Sequence, residues 1–247
     1  MKLWDILLLI IVPVMGTLVA YIRSPRYKAF VLCFPIPFTL AVLALGENVN
    51  ATHALGLLVM MGFWFLVYYL RHNIKMPILA AIVLSTITYC VASIFLAKIL
   101  PRTETSFWVS EILVVVIAAL LWRFIPHREE KAYGSNLPVW IKFPIMFAVI
   151  WGLIAMKSLL SGFMTVFPMV GVLTAYETRY SLWTSCRQIP VVLLSLAAMM
   201  AIIRLAFPLF CLGAGLAAGW VVMGLVLAGL TSHHWRKEGE NRIKVEG

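Results

Sequence analysis

Long apolar runs recur from one end of the chain to the other, and they constrain the fold more than any other feature. Each run of about 17–25 residues matches the hydrocarbon core of a bilayer. Of 247 residues, 63% are hydrophobic and 12% are charged, whereas a soluble domain is about 45–50% apolar and about 25% charged. Because lipid cannot hydrogen-bond the backbone, each run is expected to be a helix. The sequence therefore predicts an all-α, polytopic membrane helix bundle and not a soluble enzyme.

Nine runs are interpreted as membrane spans. The last two are divided at Arg204 and Pro208, because the stretch 188–231 is too long for a single crossing. The predicted spans are 6–22, 29–46, 54–70, 76–97, 106–124, 138–156, 159–176, 188–203 and 206–231.

The distribution of basic residues predicts the orientation of these spans. With the N-terminus outside, 15 of the 20 lysines and arginines lie on the cytoplasmic side and 5 lie on the other. Cytoplasmic loops of membrane proteins are enriched in lysine and arginine, so we expect an N-out, C-in topology. The basic residues are scattered singly between apolar runs, which favours topology signals over nucleic-acid binding.

A short motif occurs twice in the chain. Residues 30–35 (FVLCFP) recur as residues 163–168 (FMTVFP), at an offset of 133, and the same offset aligns Arg71 with Arg204. One span, 106–124, separates two groups of four, so the two groups would insert in opposite orientations. The predicted units are a first four-helix repeat (1–100), a linking transmembrane helix with a cytoplasmic loop (101–137), a second four-helix repeat (138–231) and a charged cytoplasmic tail (232–247). Inverted-topology repeats are typical of secondary transporters, and they also occur in channels and lipid-handling proteins.

The first 95 residues carry a further pattern of short motifs. SPRY at 24–27 is followed by FPIPFT at 34–39, GE at 46–47 and an aromatic third span with FWF at 63–65. This arrangement resembles the GlpM-type family of small bacterial membrane proteins, with a diverged second copy in the other half. The resemblance implies a multi-pass protein of the bacterial inner (cytoplasmic) membrane and implies little about a substrate.

Pro35 and Pro168 lie inside apolar runs and predict helix kinks. Proline lacks an amide donor and frees the carbonyl of residue i−4, here Val31 and Met164. Freed carbonyls inside a bundle can coordinate a polar ligand or a cation. Packing kinks covered by neighbouring helices are the alternative interpretation.

Polar residues cluster in the connections after the second span of each half, and one acidic residue lies inside the fifth span. Such residues could line a solute path, with ordinary solvated turns and interfacial anchors as the alternative. Glu111 is a candidate proton-coupling carboxylate, which could equally form a hydrogen bond at the interface. The candidate path residues are Glu47, Asn48, Asn50, His53, Glu111, Glu177, Arg179, Tyr180, Arg187 and Arg204.

The chemistry-bearing residues favour transport over catalysis. No metal, cofactor or catalytic residue is expected, because the four cysteines are isolated and the pair His233-His234 lacks further ligands. The leading hypothesis is a transporter or channel for a small solute. Two alternatives stay open: a non-catalytic subunit or scaffold of an envelope complex, and a lipid-handling, flippase-like protein that uses Arg23, Arg26 and Lys28. Expected partners are membrane lipids, an unknown small solute and no nucleic acid, with homo-oligomers and membrane-complex partners left open.

Overall fold

All regular secondary structure in the described part of the protein is helical. A computed structural model describes residues 3–22, 24–126 and 138–246, and in these ranges no strand occurs. Residues 127–137 of the predicted cytoplasmic loop lie outside them. The helices are α1 (Leu3–Ala20), α2 (Pro25–Leu32), α3 (Ile36–Leu45), α4 (Ala51–His72), α5 (Ile78–Ile99), α6 (Glu104–Phe124), α7 (Val139–Ala155), α8 (Lys157–Leu160), α9 (Phe163–Val166), α10 (Met169–Glu177), α11 (Leu182–Ala206) and α12 (Leu212–Glu246).

Within the described ranges, six helices are long and apolar enough to cross a membrane: α1, α4, α5, α6, α11 and the Leu212–Ser232 part of α12. Three shorter apolar helical stretches, Phe30–Leu45, Val139–Ala155 and Phe163–Glu177, lie at the other predicted spans. The apolar helices are those of a multi-pass membrane protein, as the composition predicts. The count of nine crossings and the division into repeats stay predictions. α12 continues as a helix through 232–246, where the sequence predicted a charged tail, and the side chains of His233 and His234 lie outside the described residues.

The outward faces of the bundle are apolar. On α5 the side chains of Leu79, Val83, Ile87, Val91 and Phe95 recur at every fourth residue and are all exposed. A spacing of four residues keeps side chains on one face of a helix. A continuous apolar stripe of this kind is compatible with lipid and incompatible with water.

Polar contacts between helix termini define two opposite ends of the bundle. Asp5, at the start of α1, pairs with Lys157 at 2.8 Å, and Glu47, after α3, pairs with Arg102, after α5, at 3.4 Å. These contacts define the Glu47 end. At the other end, which we name the Glu177 end, the Lys142 ammonium in the first turns of α7 meets Glu177, the last residue of α10.

α4 and α11 form the centre of the bundle. They contact each other, and α6 packs against both. α4 also contacts α5 and α9, whereas α11 contacts α12 and α2. On the other side, α1 packs against α3, α7 and α10. The short helices α2, α3, α9 and α10 are therefore held between the long ones, near the middle of the molecule.

Candidate functional site: a cavity between two helix breaks

Both copies of the Phe-Pro motif interrupt a helix. α2 ends at Leu32 and α3 begins at Ile36, while α9 ends at Val166 and α10 begins at Met169. The reason is local, because a proline has no amide hydrogen to continue the helical ladder. The carbonyl of Val31 accepts a hydrogen bond from the Phe34 amide at 3.2 Å, and the carbonyl of Met164 accepts one from the Phe167 amide at 3.3 Å. The two carbonyls that were predicted to be free for a ligand therefore each accept one backbone hydrogen bond.

The two breaks face each other across one cavity of about 100 Å³. Phe34-Pro35 forms one wall and Phe167-Pro168 forms the opposite one, while α4 and α11 close the sides. A cavity of this volume has room for about three water molecules or a solute of a few heavy atoms. The lining residues are Met15, Leu32, Cys33, Phe34, Pro35, Pro37, Phe38, Met60, Trp64, Thr165, Val166, Phe167, Pro168, Met169, Val170, Gly171, Ser185, Gln188, Ile189, Val192 and Leu196.

Among the described residues, few polar groups line this cavity, and none of these lining side chains is charged. The amide of Gln188 donates to the Cys33 thiol at 3.3 Å, and the Thr165 hydroxyl donates to the Gly162 carbonyl at 2.7 Å. Ser185 lies on the same turn of α11 as Gln188. Apolar pockets with a few placed polar groups are the usual form of a small-molecule site.

A buried ion pair lies at the Glu177 end. Lys142 Nζ and Glu177 Oε1 are 3.2 Å apart, and both side chains are fully inaccessible. The Lys142 ammonium also lies 4.2 Å from the centre of the Tyr21 ring. Lys28 is buried beside them and donates to the Ala20 carbonyl at 3.3 Å. Burial lowers the pKa of Lys28, and the Glu177 carboxylate opposes that shift.

Lys28 and Lys142 were missed as site residues, because both were counted as basic residues on the cytoplasmic side of the predicted topology. A signal existed for Lys142, which is the only charged residue within the apolar stretch 138–156. Lys28 was named as a headgroup contact for the lipid-handling hypothesis. In the structure its ammonium turns inward to a backbone carbonyl, so it does not support that role.

A second polar layer lies at the Glu47 end. Besides its contact with Glu47, Arg102 donates to the Ser161 hydroxyl at 3.2 Å. Arg204 pairs with Glu104, with a distance of 2.9 Å from its Nε, and donates to the Val49 carbonyl at 2.8 Å. Arg204 therefore ties the loop after α3 to the start of α6 and to the end of α11. Asn48 accepts from the Val49 amide at 2.8 Å.

The start of α4 is built into this layer. Asn50 caps the helix by accepting from the Thr52 amide at 3.0 Å, and His53 Nδ1 accepts from the Asn50 amide at 3.2 Å. Thr52 Oγ1 in turn accepts from the Gly162 amide at 3.1 Å. A single cap thus connects α4 to the segment between α8 and α9, which leads into the second helix break.

The predicted path residues do not converge on a single polar cavity. Glu47, Asn48, Asn50, His53 and Arg204 lie at one end of the bundle, and Glu177, Arg179, Tyr180 and Arg187 lie at the other. Glu111 is buried on α6, between the two ends. The structure therefore separates the candidates into two layers with the cavity between them.

Two further features of the sequence have structural explanations. The Arg179 guanidinium lies over the rings of Tyr176 and Tyr180 and donates to the Tyr176 carbonyl at 3.2 Å. Gly215 and Gly219, which lie four residues apart on α12 as a GxxxG pair, face α11, where a Cβ at Gly219 would lie 2.9 Å from Met199. The small-residue face of α12 is therefore covered within the chain, which gives no support to its use as a docking face for a partner.

No known protein family, no curated protein and no solved structure matches this chain. The resemblance to GlpM-type proteins accordingly stays a prediction.

Proposed function

We propose that this protein is a multi-pass transporter or channel for a small, uncharged solute. The observation that carries the proposal is the cavity that lies between the two Phe-Pro breaks. Discontinuous helices that meet near the membrane midplane are a common way to build a solute site in transporters. Broken backbone is tolerated at that depth where it is buried in protein or lines a cavity, which is where both breaks lie.

The inverted-repeat interpretation is supported by the packing pattern. If α7 corresponds to α1, then α9–α10 corresponds to α2–α3 and α11 corresponds to α4. The contact of α4 with α9 then has its counterpart in the contact of α11 with α2. α1 with α7 and α4 with α11 form pairs of equivalent helices in contact. The linking helix α6 packs against both α4 and α11, as a helix near the pseudo-symmetry axis would.

The two polar layers are proposed to act as gates. The layer at the Glu47 end includes the Glu47–Arg102–Ser161 contacts, and the layer at the Glu177 end includes the Lys142–Glu177 pair. Breaking one layer at a time would open the cavity to one face only. We further propose a bacterial inner membrane, nine crossings and an N-out, C-in orientation, on the basis of the resemblance and the bias of basic residues.

The cavity lining supports a particular class of solute. An ion would leave its hydration shell for a site in which no described side chain carries the opposite charge, which is costly. A neutral solute with one or two polar atoms would find Gln188, Ser185 and Thr165 as partners and apolar walls for the rest. Glycerol and urea are suitable probes of this class.

Filling the cavity is expected to abolish flux. Val192 lines the cavity on α11, and a tryptophan there would occupy its volume. Stopped-flow light scattering of proteoliposomes would measure entry of glycerol, urea and potassium chloride. Wild-type protein should accelerate the entry of at least one neutral probe but not of the salt, and Val192→Trp should return the rate to that of protein-free vesicles.

Val221→Trp is the matched control, because Val221 is an exposed residue of α12. It should retain the wild-type rate. Wild-type rates equal to those of protein-free vesicles for both neutral probes would contradict the proposal. Equal rates for Val192→Trp and wild type would do so as well.

A further inference from the structure

Among the described acidic side chains, Glu111 is the one that is buried with no hydrogen-bond partner for either carboxylate oxygen. It lies on the buried face of α6 with Phe107, Ser110, Val114 and Ala118, and only 5% of its surface is exposed. Neither carboxylate oxygen has a hydrogen-bond partner among the residues that the structure describes. Since an ionised carboxylate without donors is very costly in an apolar interior, this site accommodates the neutral carboxylic acid.

The helix register places Glu111 one helix away from the cavity. α6 and α11 are antiparallel, because Glu104 meets Arg204 at one end and the Pro126 carbonyl accepts from Trp183 at 3.0 Å at the other. Interpolation between these contacts sets Glu111 opposite Ala197. Leu196 and Val192 of the same helix line the cavity.

The charged and titratable groups on the helices around Glu111 lie toward the two ends. α4 and α11 are the helices that pack against α6. His53 and Arg204 are at the Glu47 end, where Arg204 is held by Glu104 and His53 by the helix cap. All the others lie near the Glu177 end: Tyr68, Tyr69, Arg71 and His72 on α4, and Cys186 and Arg187 on α11. No counter-charge from these two helices therefore lies at the level of Glu111.

We propose that Glu111 is a proton-binding site that couples the cavity to the proton gradient. This inference rests on the proposed function. In the closed state one carboxyl oxygen carries a proton. Release of that proton to water leaves a carboxylate, which needs water or donors that the closed α6–α11 contact does not supply. Ionisation would therefore separate α11 from α6 and move the cavity wall formed by Val192 and Leu196. Reprotonation from the other face would restore the contact.

Two measurements test this coupling without knowledge of the natural solute. The first is the infrared carbonyl stretch of a protonated carboxylic acid, recorded at neutral pH. The band should be present in the wild type, absent in Glu111→Gln and unchanged in Glu104→Gln, since Glu104 is an exposed carboxylate at the start of the same helix. Identical spectra for wild type and Glu111→Gln would overturn the proposal.

The second measurement is the reactivity of Cys33, the thiol in the cavity, toward N-ethylmaleimide as a function of pH. Cys90, Cys186 and Cys211 are replaced by alanine so that Cys33 alone reacts. The rate should show a transition in addition to ionisation of the thiol, and Glu111→Gln should remove that transition. Equal pH profiles in the two proteins would refute coupling and leave the cavity proposal standing. No reaction of Cys33 at any pH would instead remove the cavity as a solute path and, with it, the coupling.

Discussion

Replacement of Lys142 by methionine is expected to lower the free energy of unfolding by about 3–5 kcal/mol, because it removes the ammonium that pairs with the buried Glu177 carboxylate. Methionine keeps most of the volume of the side chain, so the loss reflects charge and not a cavity. Thermal unfolding in a defined detergent measures the change. The pair contacts the end of α10, so the largest structural effect should lie at the Glu177 end.

Two further variants separate this effect from a general loss of lysine. Lys98 is exposed in the last turn of α5, and Lys98→Met should change stability by less than about 0.5 kcal/mol. The double variant Lys142→Met/Glu177→Leu should recover most of the lost stability, since replacing both members of a buried ion pair by apolar residues is often neutral or better. A Lys142→Met protein as stable as Lys98→Met would show that the pair does not hold the Glu177 end together.

Replacement of Gly162 by alanine is expected to cost about 1–3 kcal/mol through overpacking. A Cβ at this position would lie 2.2 Å from Thr52 Oγ1 and 2.3 Å from His53 Nδ1, both of which are buried in the cap of α4. The backbone of Gly162 has φ −58 and ψ −25, an ordinary helical conformation, so the penalty is steric. The melting temperature of the detergent-solubilised variant reports it.

Gly152→Ala is the appropriate comparison for this variant. Apart from its chain neighbours and the adjacent backbone of α7, no atom of the described residues lies within 4 Å of a Cβ at Gly152. Alanine there should leave stability unchanged or raise it by about 0.5–1 kcal/mol, because glycine is unfavourable in a helix interior. If Gly162→Ala is as stable as Gly152→Ala, then the packing of the α8–α9 link against α4 is looser than these distances require.

The general architecture could be predicted from the sequence because it depends on local properties. Hydrophobic runs of membrane-crossing length predict where helices form, and apolar helices occur at each predicted position. The interruptions at Pro35 and Pro168 follow from the chemistry of proline alone. The sequence predicted that the two Phe-Pro motifs occupy equivalent positions in two repeats. It did not predict that they meet across a common cavity, because that depends on how α4, α9 and α11 pack.

The ionic contacts could not be predicted, because they join residues far apart in the chain. In the sequence, Lys142 is a lysine near the start of a predicted span. Its partner Glu177, at the end of α10, lies 35 residues further along the chain. Similarly, Arg204 was predicted as a path residue or an interfacial anchor, and its contact with Glu104 depends on the antiparallel packing of α6 and α11. The burial of Glu111 follows from the same packing, and a hydropathy pattern gives no information about which helices pack together.

The proposal as a whole depends on whether the cavity opens to water, and the reactivity of Cys33 from each side of the membrane measures this directly. The protein that retains only Cys33 would be reconstituted in one orientation and treated with a membrane-impermeant thiol reagent from either face. A matched protein that retains only Cys211, which is exposed between α11 and α12, controls for reagent access. We predict that Cys33 reacts and that Val192→Trp suppresses its reaction. Complete protection of Cys33 from both faces, while Cys211 reacts fully, would contradict a solute path through the two helix breaks.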